Sequence, residues 1–395
     1  MKILLVTRDV KDGIGTTVKN LVWQYEKNPK IELITVICPE PFKTFSNKTK
    51  FIHAPIWGKY FFTKESIFAY KAYKAITKEV NKNEYDVIHL HSNILSFAFK
   101  NKERIVSTFQ GSHSALIRNV RVPIISTFHS TKKATFSNID LTSLKYRFGK
   151  YLHLPFILLD QIRLKNSDLI TCVSKYTLKE LEDSASKKGL EKNFIYIPNG
   201  IDIEIYKPLN IDRVEFLKNQ YGIDIGMNKV GLYIGRLEAG KGVLILAEAV
   251  KDIPNFTLLI AGVGDEMSNL QSYSNIKCLG YISDQVEKNK LLNSVDVFVL
   301  PSLYENFPTV IPEAMAANRA IISTKVGMVP EILGHRDRVL VEIGNIEELR
   351  EKIQIIITNE ELNKSEASLN YEYAIKNLKW EEVSKIYYNH YSSLN

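Results

Sequence analysis

Short apolar runs, each followed by a loop rich in glycine or polar residues, recur along the chain and constrain its fold more than any other feature. The runs have the length of buried strands, and amphipathic helical stretches separate them. Strands that alternate with helices predict parallel sheets joined by right-handed crossovers. The predicted strands are Lys2–Thr7, Leu33–Cys38, Asp86–Leu90, Ile124–Phe128, Leu169–Val173, Phe194–Ile197, Val230–Ile234, Phe256–Ile260, Ile276–Leu279, Val295–Leu300, Ala320–Thr324 and Val339–Val341.

The same pattern starts again after Gly200, so the chain contains two successive α/β halves. A chain of 395 residues is also too long for one ordinary hydrophobic core. The sequence therefore predicts two domains, residues 1–203 together with 378–395, and residues 204–377. The stretch 378–395, which contains Trp and Tyr, is predicted to form a final helix.

Charge is divided unequally between the two halves. Residues 1–200 contain 32 Lys and Arg against 17 Asp and Glu, whereas residues 201–395 contain 20 against 27. A basic N-terminal half indicates an anionic partner, which can be a nucleic acid, a membrane surface or a substrate. Dispersed basic residues and the lack of a recognised nucleic-acid module argue against nucleic acid.

A stretch of aromatic residues and lysines, Trp57–Lys82, offers two interpretations. It is either a core-packed amphipathic helix with a lysine-rich solvent face, or an interfacial surface for anionic lipid. The apolar positions recur at roughly helical spacing, with lysines around them: Phe62, Ile67, Tyr70, Tyr73 and Ile76, with Lys64, Lys71, Lys74 and Lys78.

The compartment is predicted from cysteine usage and from segments that the sequence lacks. Cys38, Cys172 and Cys278 lie in apolar runs far apart, which indicates buried reduced thiols. The chain begins directly as a strand, without a signal peptide, and contains no run of the length of a spanning helix. We expect a cytoplasmic protein, with peripheral attachment to the inner face of the membrane as the alternative.

The region around Glu305 and Glu313 combines two chemistries. The apolar strand Val295–Leu300 runs into the polar loop Pro301–Phe307, and a short helix follows. A helix N-terminus at the carboxyl edge of a parallel sheet attracts phosphates, whereas carboxylates accept the hydroxyl groups of a sugar. Phosphate and polyol at one edge predict a nucleotide-sugar site. A glycosidase with paired carboxylates is the alternative.

Two cations follow another predicted strand of the same half. Arg236 and Lys241 lie beside Gly235, Gly240 and Gly242. An Arg fork and a Lys point charge on a glycine-rich loop can clamp a diphosphate. A glycosidase has no role for these cations, so they favour the nucleotide-sugar interpretation.

Weaker signals lie in the N-terminal half. Gly13 and Gly15 form a loop that either approaches a phosphate or makes a plain turn. His129 follows a predicted strand and is a candidate for a cleft, whereas His89 and His91 are more typical of packing. No cluster has metal-ligand spacing, and there is no Asp-x-Asp motif, Walker A loop or Gly-x-Ser-x-Gly elbow. We therefore predict no metal site.

Taken together, these residues resemble the retaining glycosyltransferases of glycosyltransferase family four, over nearly the whole chain. The resemblance implies an α/β protein of GT-B fold, with two facing Rossmann-like domains, parallel sheets and a C-terminal crossover helix. Residues 1–203 plus 378–395 would form the acceptor-side domain, and residues 204–377 the nucleotide-sugar domain. The matching motifs are Asn199-Gly200-Ile201-Asp202, Gly235-Arg236-Leu237, Lys241-Gly242, the E-x7-E signature of Glu305 and Glu313, Asn306-Phe307-Pro308, Glu313-Ala314-Met315-Ala316 and Pro330-Glu331-Ile332.

The resemblance also implies a role for each site residue. Arg236 and Lys241 would bind the donor diphosphate, Glu313 the ribose and Glu305 the donor sugar. His129 would contact that sugar from the N-terminal half; His113, in a segment without a counterpart in the family, is the alternative. The expected catalytic residues are His129, Glu305, Arg236 and Lys241, and the expected donor-binding residues are Gly15, Arg236, Lys241, Gly264, Tyr281, Glu305, Asn306, Phe307, Pro308, Thr309 and Glu313.

The implied activity is that of a metal-independent, hexosyltransferase-type enzyme in cell-surface glycan or glycolipid synthesis. It would move a sugar from a nucleotide-diphospho-sugar, a substrate rather than a cofactor, to a hydroxyl of a sugar or lipid-linked acceptor. The base would be UDP or GDP. The alternatives are a non-catalytic GT-B partner or scaffold at the membrane, and a GT-B nucleotide-sugar epimerase. Asn318 and Ala320 replace a commoner Gly and Pro, and Asn is the next-best residue for a left-handed helix end.

Overall fold

The computed structural model of the protein describes residues 1–7, 10, 13–56, 61–80, 82–91, 124–128, 167–187 and 189–394. The chain divides into two compact units, Met1–Pro198 with Trp380–Asn395, and Asn199–Lys379. The predicted division lay at residues 203 and 377.

Strands and helices alternate along most of the described chain. The strands are β1 (Lys2–Val6), β2 (Leu33–Cys38), β3 (Thr49–His53), β4 (Val87–Leu90), β5 (Ile124–Phe128), β6 (Leu169–Cys172), β7 (Asn193–Tyr196), β8 (Lys229–Ile234), β9 (Phe256–Ala261), β10 (Ile276–Gly280), β11 (Val297–Leu300), β12 (Ala320–Thr324) and β13 (Leu340–Val341). The helices are α1 (Gly13–Lys27), α2 (Phe61–Val80), α3 (Lys175–Ser186), α4 (Arg213–Tyr221), α5 (Val243–Val250), α6 (Met267–Leu270), α7 (Gln285–Asn293), α8 (Val310–Ala316), α9 (Val329–Ile332), α10 (Ile346–Thr358), α11 (Glu360–Asn377) and α12 (Trp380–Ser393), with a 3₁₀ turn at Ala239–Lys241.

The first unit is built on a seven-stranded parallel sheet in the order β3-β2-β1-β4-β5-β6-β7. One core cluster joins the sheet to α1 and α12, and includes Leu21, Tyr25, Trp380 and Tyr391. A second cluster joins it to α2. The final helix is thus part of the first unit's core, although it follows the second unit in sequence.

Helix α2 packs into the core by the apolar residues whose side chains the structure describes. Phe68, Ala72 and Ile76 are buried there, while Lys71 and Lys78 are exposed. The other aromatic side chains of the stretch lie outside the described residues. Ile76 is the predicted apolar position whose side chain the structure describes, and for it the core-packed interpretation is confirmed.

The second unit is built on a six-stranded parallel sheet in the order β10-β9-β8-β11-β12-β13. Because its strands are parallel, their carboxyl ends and the loops that follow them meet at one edge. Asn318 has φ +58° after α8, which is the left-handed helix end predicted for it.

The start of α1 differs from the sequence prediction. The helix begins at Gly13, so Gly15 lies in its first turn and not in the preceding loop. A Cβ at Gly15 would lie 2.4 Å from the backbone of Val10, so the helix packs closely against the chain that enters it. Within the described residues, no helix combines the length and apolar character needed to cross a membrane.

Candidate functional site

At the carboxyl edge of the second sheet, a glycine allows two loops to pack closely against each other. Gly242, at the end of the loop after β8, has φ +65°, and a Cβ there would lie 2.1 Å from the carbonyl oxygen of Pro301. The N–H of Leu303 donates to the carbonyl of Gly240 at 3.0 Å. Only glycine allows this approach, which holds the loop after β8 against the loop after β11.

This contact brings Lys241 and Glu305 together. The Lys241 ammonium lies 2.6 Å from Oε1 of Glu305, and the Ser302 hydroxyl donates to the same oxygen at 2.9 Å. The side chains are 21% and 13% exposed, so solvent screens the pair only in part. No described residue donates to Oε2, which leaves that oxygen able to accept a further hydrogen bond.

The loop that carries Glu305 is also fixed from the side of β12. Thr324 donates its hydroxyl to the carbonyl of Ser302 at 2.6 Å, and the N–H of Met328 donates to the carbonyl of Asn306 at 3.1 Å. Gly327 has φ +51°, and a Cβ there would lie 2.4 Å from the carbonyl oxygen of Glu305. The backbone of Glu305 is therefore held by neighbouring loops on both sides.

Glu313, in the first turn of α8, forms a second lysine–carboxylate pair. The Lys288 ammonium, on α7, lies 3.1 and 3.3 Å from its two oxygens. Glu313 is only 9% exposed, and burial raises the pKa of its carboxyl, while Lys288 opposes that shift. Both carboxylates of the E-x7-E signature are thus paired with a lysine at the same sheet edge.

Tyr206 packs beside the Lys288–Glu313 pair. Its ring lies 5.6 Å from the Lys288 ammonium, and its buried hydroxyl lies near the Glu313 carboxylate. Burial, and then the charge of Glu313, raise the pKa of this phenol. Lys288, Tyr206 and Ser302 were not predicted from the sequence, because no motif links them to the two glutamates.

Arg236 has a different partner from Lys241. Its guanidinium lies 2.8 Å from Oε1 of Glu238, and its side chain is 69% exposed. Gly264, after β9, supports this loop, since a Cβ there would lie 2.3 Å from the carbonyl oxygen of Leu237. The structure places Arg236 and Lys241 on one loop but does not bring their charged groups to one partner.

The sequence of the chain is similar to known glycosyltransferases over most of its length. The sequence profile of Glycosyltransferase Family 4 matches residues 11–205, and that of Glycosyl transferases group 1 matches residues 214–372. An uncharacterized glycosyltransferase of Methanocaldococcus jannaschii is 30% identical over 390 residues, which is 95% of this chain and 94% of that relative. The chain belongs to glycosyltransferase family four.

This family-four glycosyltransferase is also similar to a galactosyltransferase in sequence and to a sucrose-phosphate synthase in structure. An Escherichia coli relative, UDP-Gal:alpha-D-GlcNAc-diphosphoundecaprenol alpha-1,3-galactosyltransferase, is 26% identical over 294 residues, 70% of this chain and 67% of the relative. The structure of sucrose-phosphate synthase from Thermosynechococcus elongatus matches with a TM-score of 0.78 at 18% identity, over 100% of this chain and 99% of that one. The family and the GT-B fold predicted from the sequence are confirmed.

The remaining predicted donor-binding residues of the glycosyltransferase surround the same edge. Asn306 and Pro308 are buried, Phe307 is half-buried and Thr309 is exposed just before α8. Tyr281 follows β10 with 74% of its surface exposed. Their roles stay predictions.

The predicted residues of the first unit are described only in part. His129 and His113 lie outside the described residues, and Gly15 lies in α1 as given above. His89 is buried, with Nδ1 2.5 Å from the Tyr391 hydroxyl, which fits the packing role predicted for it. Among the residues that the structure describes, no three His, Cys, Asp or Glu side chains form a group able to hold a metal ion.

Proposed function

We propose that this glycosyltransferase moves a hexose from a nucleotide-diphospho-sugar to an acceptor hydroxyl, with retention of anomeric configuration. The observation that carries the proposal is the presence of two lysine–carboxylate pairs, Lys241–Glu305 and Lys288–Glu313, at one edge of a parallel sheet. Cations suit a diphosphate and carboxylates suit sugar hydroxyls, so one edge offers groups for both ends of such a donor.

The diphosphate would bind to Lys241 and Arg236. The diphosphate would compete with Glu305 for the Lys241 ammonium. It would also attract the exposed Arg236 guanidinium away from Glu238. In the transition state the bond between sugar and phosphate breaks and negative charge grows on the leaving diphosphate. Lys241, and Arg236 once it has left Glu238, would stabilise that charge more than they stabilise the bound donor, which lowers the barrier.

Glu305 would orient the sugar being transferred. Its Oε2 accepts no hydrogen bond from the described residues, while Oε1 is fixed by Lys241 and Ser302. A sugar hydroxyl that donates to Oε2 would be held at a fixed angle to the diphosphate. Glu313 would accept hydroxyls of the ribose in the same way, and the exposed Tyr281 would contact the donor from the end of β10.

Retention needs no nucleophile from the protein in this proposal. The acceptor hydroxyl would attack from the face that the diphosphate leaves, and a phosphate oxygen of the leaving group would take its proton. Lys241 and Arg236 would neutralise the diphosphate without a metal ion. We therefore expect transfer to persist in the presence of a chelator.

The acceptor class is inferred from the relatives. The Escherichia coli relative is named for transfer of galactose from UDP-Gal to a sugar linked to diphosphoundecaprenol. We infer a sugar or lipid-linked acceptor of cell-surface glycan synthesis, reached from the cytoplasmic side of the membrane. UDP-sugars are the first donors to test, and GDP-sugars the second.

The test begins with thermal unfolding in the presence of UDP, GDP, ADP and their sugars. A ligand at 100 times its dissociation constant stabilises by about 2.7 kcal/mol, which is readily measured. The matched variant is Glu305→Gln, which keeps the side-chain shape and removes the charge. We expect it to bind the free nucleotide at least as tightly, because Lys241 loses the carboxylate that competes with the diphosphate, and to lose both the added affinity for the nucleotide-sugar and transfer.

Three other experimental outcomes would contradict the proposed function or the role of Glu305. Turnover of a nucleotide-sugar without acceptor, to a different sugar, would indicate an epimerase. Stabilisation by no nucleotide, together with no nucleotide release from any donor, would indicate a non-catalytic partner protein. Equal loss of nucleotide and nucleotide-sugar affinity in Glu305→Gln would remove the sugar-binding role of that residue.

A further inference from the structure

The first unit has a surface that the donor site does not use. The crossover from β2 to β3, residues 39–48, forms no helix and contacts α1 through Lys43 and Phe45. Phe45 stands out from it with 66% of its surface exposed, and its ring lies 5.4 Å from that of Trp23 on α1. Lys19 and Lys27 lie four residues either side of Trp23, on the same face of α1, and Lys43 is exposed on the crossover. We call these five residues the aromatic–lysine patch.

The patch is held in place by hydrogen bonds between α1 and the crossover. Glu26 is 7% exposed; its Oε2 accepts the N–H of Phe45 at 2.9 Å, and its Oε1 accepts the hydroxyl of Thr49 at 2.6 Å. The Trp23 indole N–H donates to the carbonyl of Lys43 at 2.8 Å. The backbone thus presents Phe45 to solvent from a fixed position, and no apolar residue of the described chain covers most of its ring.

The patch is cationic as well as aromatic. Lys27 and Lys43 are exposed, and the Lys19 ammonium lies 5.9 Å from the ring of Phe42, next to the patch. The nearby acid Glu26 is buried and accepts two hydrogen bonds. Within the crossover, Glu40 is the exposed carboxylate. An apolar ring fixed between ammonium groups fits the boundary between lipid phosphates and acyl chains.

We propose that the aromatic–lysine patch docks the protein on an anionic lipid surface. Phe45 would enter the acyl boundary, and Lys19, Lys27 and Lys43 would contact the lipid phosphates. A nucleic acid fits less well, because successive bases stack on several exposed aromatic faces, and of the two rings of the patch only Phe45 is largely exposed. The proposal moves the candidate membrane surface away from α2, whose described apolar side chains lie in the core. It does not depend on the identity of the donor or acceptor.

The test is cosedimentation of the full chain with vesicles of phosphatidylcholine alone and of phosphatidylcholine with phosphatidylglycerol. We expect binding to the anionic vesicles that falls steeply as salt is raised. Lys27→Gln with Lys43→Gln should weaken it by about fivefold for each lysine. Phe45→Ser should weaken it by about tenfold, because the ring no longer leaves water.

The matched control is Lys71→Gln with Lys78→Gln, which removes the same charge from the exposed side of α2. It should bind the anionic vesicles as the unaltered protein does. Equal losses from both lysine pairs would mean that net charge alone, and not the patch, attracts the protein. Absence of vesicle binding at low salt would overturn the proposal, as would single-stranded DNA binding that depends on Phe45 without any vesicle binding. Phe45 is largely exposed, so its variant should unfold at the same temperature, and a donor-induced thermal shift checks the second unit separately.

Discussion

The ammonium of Lys241 lies 2.6 Å from Oε1 of Glu305, so the residue proposed for the donor diphosphate is paired with the residue proposed for the donor sugar. Neither charge can change without affecting the other, because both are largely shielded from solvent. A diphosphate that draws Lys241 toward itself would leave Glu305 held by Ser302 and more able to accept from the sugar. The two ends of the donor are therefore expected to bind cooperatively.

The first prediction concerns Lys241→Met. Loss of one group that stabilises the leaving charge should lower kcat/KM for the donor by roughly 100- to 1000-fold. Glu305 keeps its bond from Ser302 but loses its cation in a site largely shielded from solvent, so the free energy of unfolding should fall by about 1–3 kcal/mol. Steady-state kinetics and thermal unfolding measure the two effects.

Lys251→Met is the control for this variant. Lys251 forms an exposed pair with Glu248 in the same unit, at 2.8 Å, and has no proposed role. Its removal should leave turnover unchanged. Near-normal turnover in Lys241→Met would show that the diphosphate does not rely on this lysine.

The second prediction concerns pH and the Lys288–Glu313 pair. Burial raises the pKa of Glu313 and Lys288 counteracts the rise, so Lys288→Met should raise that pKa further. Only the ionised carboxylate accepts both ribose hydroxyls. As the solution is acidified, the variant should therefore lose nucleotide affinity at a higher pH than the unaltered protein does. Titration calorimetry across this range measures the shift, with a 2′,3′-dideoxy nucleotide as the ligand that should not show it.

Stability should respond to the same pair with a definite sign. A carboxyl whose pKa is higher in the folded state binds protons more tightly there, so stability falls as pH rises from the unfolded pKa, about 4.3, through the folded one. Lys288→Met widens this interval and leaves a buried charge unpaired above it, at a cost of about 3 kcal/mol. Lys290→Met, exposed on the same helix, is the control. An identical pH dependence of stability in both variants would exclude Glu313 as the titrating group.

The third prediction separates two neighbouring glycines. Gly242→Ala must place a Cβ 2.1 Å from the carbonyl oxygen of Pro301 at φ +65°, whereas a Cβ at Gly240 meets nothing within 4 Å. We expect Gly242→Ala to lower the free energy of unfolding by about 3 kcal/mol and to displace Lys241 from Glu305. Gly240→Ala should be close to neutral. Denaturant unfolding compares the two, and equal effects would show that the loop adapts without cost.

The sequence predicted the edge on which the candidate site lies, because parallel strands bring their carboxyl ends together whatever their crossovers contain. Lys241 and Glu305 follow β8 and β11, which are neighbours in the sheet, so their proximity follows from strand order. Lys288 was not predicted, because its contact with Glu313 depends on which faces α7 and α8 present to each other. No local pattern in the sequence specifies that.

Two features of the first unit escaped prediction for different reasons. Strand β3, with the sequence TKFIH, mixes polar and apolar residues at the edge of the sheet, so it lacks the continuous apolar run of a central strand. The contact of Trp23 with Phe45 joins a helix to a crossover without regular structure, and sequence periodicity carries no information about such a loop. The sequence predicted the boundaries of the two units at residues 203 and 377, whereas the structure has them at 198 and 379. They differ by a few residues because no linker composition marks the boundaries.

The last prediction concerns the attachment of the final helix to the first unit. The Tyr25 hydroxyl donates to that of Tyr391 at 3.0 Å, and the Tyr391 hydroxyl lies 2.5 Å from Nδ1 of His89, so one buried hydroxyl links α1, α12 and β4. Tyr391→Phe removes both bonds from a site closed to water and should lower the free energy of unfolding by about 1–3 kcal/mol. Tyr388→Phe alters a half-buried ring of the same helix whose hydroxyl forms no hydrogen bond with the described residues, and it should cost less than about 0.5 kcal/mol. Hydrogen exchange of residues 380–394 should rise in the first variant only; equal protection in both would show that apolar packing alone fixes the helix.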